Sequence, residues 1–238
     1  MSLRVGIDVD GVLADFRTAF RETSIASLGR PLEARDGTTA STQALAQGEV
    51  KRVWEVVGRT PNWWMKLKPY EPDQIARLYS LARDARWEVF FLTDRPRSAG
   101  DSVQFQTQSW IERHGFYMPS VLTIPGSRGE VANGLRLHLV IDDLLLNCID
   151  VVSAATAKAV LLLRSGDDAV QKHALERGIG VVPTLAHAIE VVQRLHAVLP
   201  ARQGRLLRLA DWFTREPEAE PLPHNPRASR PVPPHAGG

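Results

Sequence analysis

The stretch Val5-Gly-Ile-Asp-Val-Asp-Gly-Val-Leu-Ala-Asp-Phe16 decides how the rest of the 238-residue chain is read. Its first half is short, apolar and β-branched, the pattern of a strand buried on both faces, as parallel strands are. Asp8 and Asp10 sit where that strand runs out, and Gly11 follows at once with the freedom to turn tightly. Positions two apart on a strand project toward the same side, so both carboxylates are aimed at one region. At an effective dielectric near 20 their repulsion over several Å is about a few kcal/mol, and it calls for a compensating charge.

Further runs of the same kind occur at 88–93, 121–124, 137–141, 159–163 and 179–182. Between them, residues 75–83, 103–114, 147–156 and 185–199 space their apolar side chains as helices do. Alternating strand and helix predicts an α/β, doubly wound, Rossmann-like and mainly parallel sheet with ligands at the carboxyl ends of its strands. About 75 residues separate the first strand from the second, where a simple crossover unit needs about 30. The excess predicts a small helical cap inserted after the first strand. Its helices are expected at 16–28, ending at Gly29, and at 50–58, with a Gly/Ser/Thr/Asp-rich loop over 35–42. The expected organisation is a core of 1–15 and 85–200, a cap of 16–84, a C-terminal helix over 201–214, and a disordered Pro/Arg-rich tail over 215–238.

Composition narrows the class. With 44% apolar and 24% charged residues the chain reads as globular, and no apolar run approaches the roughly 18 residues of a membrane span. The apolar run begins at the fourth residue, which leaves no room for a secretory leader, so a cytoplasmic location is expected. Cys148 is the only cysteine, which rules out an intrachain disulfide. The net charge of +2 comes from arginines after Ala201, so it is no sign of a nucleic-acid-binding core, and neither nucleic acid nor a membrane is expected as partner. The seven histidines show no metal-ligand spacing, and there is no P-loop or nucleophile elbow.

Two more strand ends carry chemistry. Asp142 and Asp143 close the run 137–141, and would meet Asp8 and Asp10 if the two strands are neighbours. Two acidic pairs at strand ends call for a hard cation such as Mg²⁺, which takes one or two carboxylates and completes its shell with phosphate and water. The run 88–92 ends in Thr93-Asp94-Arg95-Pro96, placing a hydroxyl and fresh backbone N–H groups where a phosphate oxygen would sit.

On these residues the chain resembles the haloacid dehalogenase (HAD) superfamily, with its Asp-x-Asp, strand-ending Ser/Thr, basic residue and final acidic pair. The resemblance covers about residues 1–195, and within it Asp8-Val-Asp-Gly-Val-Leu-Ala-Asp-Phe16 is most similar to the 5′(3′)-deoxyribonucleotidases and their bacterial relatives. It implies a Mg²⁺-dependent phosphomonoesterase working through an aspartyl-phosphate. Asp8 would attack phosphorus, and Asp10 would protonate the leaving alkoxide and then activate water. Dehalogenase members generally lack the second Asp, so Asp10 favours phosphoryl chemistry. The Asp8 carboxylate, the Asp10 carbonyl and the pair Asp142/Asp143 would hold the metal, with either member of that pair as the direct ligand. Thr93, Asp94 and Arg128 would hold phosphate, although the family generally has lysine where Arg128 stands. Phe16 matches the aromatic that helps line the base pocket in the deoxyribonucleotidases, and Trp63 and Trp64 are either a second pocket wall or the cap's own core. The implied partner is a small phosphorylated substrate, a nucleotide by this resemblance. A phosphatase for another small metabolite, or a weakened enzyme serving as a phospholigand-binding scaffold, stays open.

Overall fold

Six strands form one parallel sheet in the order β3-β2-β1-β4-β5-β6, with β1 (Arg4–Asp8), β2 (Glu88–Thr93), β3 (Ser120–Thr123), β4 (Leu139–Asp142), β5 (Lys158–Leu162) and β6 (Gly180–Val182). The computed structural model describes residues 2–31 and 45–203, with side chains to 198. The expected loop at 35–42 and everything expected after 203 fall outside these residues. The described residues up to 199 form one compact unit.

The strands carry continuous apolar runs because both faces are covered, and alternate side chains feed two separate cores. Val5, Ile7, Phe91, Leu139 and Ile141 pack on one face. There they meet α3 (Pro72–Asp84), α4 (Val103–Arg113) and α8 (Leu185–Gln203) through Ile75, Leu78, Trp110, Ile111, Ile189 and Val192. Leu92, Val140, Ala159 and Leu161 pack on the other face against α5 (Arg128–Gly134), α6 (Leu145–Ala154) and α7 (Asp168–Leu175). The doubly wound architecture is as the sequence predicts. The expected helices are present, α1 spanning Phe16–Leu28 and α2 Gln47–Arg59. Asp15 caps α1 by accepting from Thr18 N at 3.0 Å, and Gly29 ends it at φ +67°.

Two helices were not anticipated. α5 and α7 are seven and eight residues long, too short for a periodic apolar stripe, and are started by Ser127 and Asp167 side chains that accept backbone N–H groups. Consequently Arg128 lies in the first turn of a helix and not in a loop.

Strand order reverses at β1, whose neighbours are β2 and β4, and ligand sites of such sheets lie at this switch point. The segment after β1 leaves and re-enters at one seam. Asp15 N donates to Lys68 O at 2.8 Å, and Tyr70 N donates to Leu13 O at 2.9 Å. The returning stretch is fixed to α4. Trp110 Nε1 donates to Leu67 O at 2.8 Å, and Trp64 N donates to Gln106 Oε1 at 3.3 Å.

Trp110 is fully buried at this seam. Trp110→Phe should therefore lose about 1–2 kcal/mol, the unmatched Leu67 carbonyl, and Trp110→Ala about 3–5 kcal/mol, both read from denaturant unfolding. A Trp110→Phe variant as stable as the parent would show that the indole hydrogen bond contributes nothing.

Candidate active site

The site is assembled by register. Ile7 pairs with both Phe91 and Ile141, so the ends of β1, β2 and β4 lie side by side. Asp8, Thr93 and Asp142 close these strands and are all buried.

Arg128 reaches this cluster from the far side. Its Nη2 donates to Asp8 Oδ1 at 3.0 Å, and its Nε lies 3.7 Å from Asp142 Oδ2. The residue is only 5% exposed, yet Nε and Nη1 have no hydrogen-bond partner. A buried guanidinium with unmatched donors carries a desolvation penalty unless something accepts from it. Asp142 is held in place by the start of α6, which follows it, accepting from Leu144 N at 2.9 Å and from Asn147 Nδ2 at 3.0 and 3.1 Å. Asp143 lies 3.5 Å from Arg17 Nη2 on the rim. It also lies directly against the first turn: a Cβ on Gly11, whose φ is +88°, would be 2.0 Å from Asp143 Oδ2. Glycine is required there for both conformation and space.

Asp10 is engaged by a residue that the sequence reading passed over. Arg95 grips its carboxylate with a fork, Nε to Oδ2 and Nη2 to Oδ1, both at 2.8 Å, and Thr93 Oγ1 donates to Oδ2 at 3.3 Å. The signal was available: Arg95 is two residues beyond Thr93, the same spacing that relates Asp8 to Asp10.

Other expected residues are placed differently. Asp94 is exposed and makes no hydrogen bond or ion pair among the described residues; with Arg95, Arg97 and Ser98 it lines an adjacent cleft of about 580 Å³. Trp63 and Trp64 do not wall an open pocket, which corrects that expectation: they are 5% and 1% exposed. Trp64 Nε1 donates to Pro96 O at 3.0 Å, and the Arg95 guanidinium lies 4.8 Å from its ring centre. Phe16, like Trp54, is partly accessible, with its ring 5.9, 6.1 and 6.0 Å from Trp54, Trp63 and Trp64.

Electrostatics follows from this burial. Desolvation, then the Asp142 charge, pushes the Asp8 carboxyl well above its usual range, with Arg128 opposing. Burial also raises Asp142, and raises Asp143 to about 7 with the Asp142 charge adding to it. The cluster holds more negative charge than Arg128 neutralises, the environment that suits a hard cation. Among the described residues no three His, Cys, Asp or Glu side chains converge closely enough to hold a metal by themselves. A Mg²⁺ site of two carboxylates and a main-chain carbonyl needs no third side chain.

No family model and no curated protein matches the sequence. Solved structures do. A putative β-phosphoglucomutase from Thermotoga maritima superposes with a TM-score of 0.51 at 18% identity, over 81% of this chain and 99% of that one. A hydrolase from Pseudomonas syringae aligns at 0.49 and 14% identity over 82% and 99%. A HAD hydrolase of family IA, variant 3, from Entamoeba histolytica aligns at 0.48 and 15% identity over 79% and 95%. The first of these likenesses shows the fold that the two chains share, an α/β Rossmann-like parallel sheet.

The raised carboxyls set a pH dependence. Between the ordinary 3.8 and about 7 the folded chain binds more protons than the unfolded one, so stability falls as pH rises through that window. In EDTA the melting temperature should drop by roughly 5–10 °C between pH 5 and pH 8, at about 1.4 kcal/mol per pKa unit. Mg²⁺ should reverse the drop at pH 8 and do little at pH 5. A flat or rising profile in EDTA would refute this account of the cluster.

Proposed function

We propose that this chain is a phosphomonoesterase of the HAD type. The observation that carries the reading is Arg128, buried between Asp8 and Asp142 at the switch point with two nitrogens unmatched. A phosphoryl group bound beside Asp8 would satisfy those donors, and arginine is suited to bridge two oxygens at once. Thr93 Oγ1 and the backbone at Asp94 complete a phosphate cradle on the other side of Asp8.

In this reading an Asp8 oxygen attacks phosphorus and the bond from phosphorus to the leaving oxygen breaks, while Asp10 gives that oxygen a proton. Asp10 then takes a proton from water as the water oxygen attacks phosphorus, which breaks the Asp8–phosphorus linkage and frees inorganic phosphate. Asp8, the Asp10 main-chain carbonyl and one of the pair Asp142 and Asp143 would hold Mg²⁺. When bound, the ion would supply the positive charge that lets an anionic nucleophile approach an anionic phosphate.

The substrate class we favour is a nucleoside 5′-monophosphate, supported by the resemblance of the first motif and by Phe16, which with Trp54 is a partly accessible ring of the aromatic cluster. The buried Trp63 and Trp64 give this choice no support, so another small phosphometabolite is the second reading. The cap would comprise 16–84.

Purified protein offered nucleoside monophosphates and sugar phosphates should release phosphate only with Mg²⁺, and Asp8→Asn should lower kcat by roughly 10³-fold or more. Absence of Mg²⁺-dependent release by the parent on every substrate sinks the enzymatic reading, and nucleotide binding without turnover would identify a phospholigand-binding protein. Arg128→Lys, which removes the fork but keeps the charge, should change kcat by about 10-fold; an unchanged kcat would show that Arg128 does not touch the phosphoryl group.

A further inference from the structure

Arg95 and Arg128 are both buried arginines paired with a carboxylate of the first motif, but their donors are used differently. On Arg128, Nε and Nη1 have no partner. On Arg95 each nitrogen is engaged: Nε and Nη2 with Asp10 and Nη1 with Thr107 Oγ1 at 2.9 Å. Thr107 is held in turn by donating to Val103 O at 2.7 Å within α4. The Arg95 guanidinium carbon lies over the Trp64 ring, and Trp64 is fixed by its bonds to Pro96 O and Gln106 Oε1. The Arg95 side chain is wholly inaccessible, whereas the Asp10 side chain is 22% exposed and faces the site.

Arg128 thus keeps two nitrogens for a ligand, whereas every Arg95 nitrogen already bonds within the protein. A buried ion pair is a poor device for stability alone, since apolar groups of similar volume do as well or better. What a bidentate guanidinium adds is a fixed plane and direction for the carboxylate it grips. We infer that Arg95 is a positioning residue for Asp10, and that Trp64 is the platform that positions Arg95; this rests on the phosphomonoesterase reading. The aromatic residue expected beside a nucleobase would then act on the acid–base step.

The consequence concerns leaving groups. Asp10 must deliver a proton to an alkoxide, and a misplacement of about 1 Å in such a group can lower the rate roughly 10²-fold. A nitrophenolate departs without that proton. Loss of positioning therefore harms poor leaving groups selectively, whereas a general loss of structure harms all substrates alike.

The test uses the full chain with Mg²⁺, an alkyl phosphate and p-nitrophenyl phosphate, and thermal unfolding to verify folding. Arg95→Met should lower kcat on the alkyl phosphate by roughly 10²-fold and on p-nitrophenyl phosphate by less than about 10-fold. KM should stay within about 3-fold, and Arg95→Met should add no loss in an Asp10→Asn background. Trp64→Phe, which keeps a ring beside Arg95 but loses the donor to Pro96 O, should show the leaving-group split weakly, and Trp64→Ala should show it strongly. Equal losses on both substrates, an effect confined to KM, or full additivity with Asp10→Asn would overturn the inference. If Arg95→Met fails to fold, Arg95→Gln and the two Trp64 variants decide by the same criteria. A parent inactive on both substrates refutes the phosphomonoesterase reading and this inference with it, an outcome distinct from an active parent whose Arg95 variants show no split.

Discussion

The contact of Arg128 with Asp8 and Asp142 is the constraint on which the other features of the site depend. It requires β1 and β4 to be neighbours although more than a hundred residues separate them, and the reversal of strand order at β1 provides this. It also requires the start of α5 to be held to α6. Asp150 does so by accepting from Ser127 Oγ at 2.8 Å and Gly129 N at 2.9 Å. Gly129 permits the approach, since a Cβ there would lie 2.5 Å from Asp150 O. A seven-residue helix that could not persist alone is thereby fixed at its first turn, where Arg128 stands.

The turn that follows β1 is restrained on two sides. Arg95 grips the Asp10 side chain, while Arg164 reaches the backbone: its Nη2 donates to Val12 O at 2.9 Å and its Nε to Gly11 O at 3.4 Å. Arg164 also pairs with Glu71 at 2.8 Å, and Glu71 accepts from Leu185 N and Ala186 N at the start of α8. Its guanidinium lies 4.1 Å from the Tyr70 ring centre. The seam through which the inserted segment departs and returns is therefore tied to β5, α8 and the turn bearing Asp10. Such coupling is how a fold holds catalytic groups within fractions of an ångström.

Much of this could be read in the sequence because parallel strands have a plain signature. Continuous apolar runs revealed all six strands, and the polar residues that close them gave Asp8, Thr93 and Asp142 as a converging set. The rest was less visible for physical reasons. α5 and α7 are too short to show periodicity. Trp63 and Trp64 were ambiguous because an aromatic beside a motif can serve a ligand or a core, and only their partners, Pro96 O and Arg95 for Trp64, separate the two. Arg95 was overlooked because it was read as part of a turn after the strand, when the alternation rule applied to Asp8 and Asp10 places it on the same side as Thr93.

The charge balance bears on whether the cluster serves structure or chemistry. Asp8 and Asp142 are buried, and the carboxyls of Asp8, Asp142 and Asp143 are all pushed upward by desolvation. In a merely structural role each would be better replaced by a neutral residue, because an uncompensated buried carboxylate destabilises a fold by several kcal/mol. Groups held against their own solvation are characteristic of sites whose compensating partner arrives from outside. Asp150, Glu71 and Asp15 accept from backbone N–H or hydroxyl donors in clear structural tasks; Asp142 accepts such bonds too, and what sets it apart is that it crowds with Asp8 about the single Arg128 guanidinium. The contrast within a single chain separates carboxylates that stabilise the fold from those that the fold keeps available.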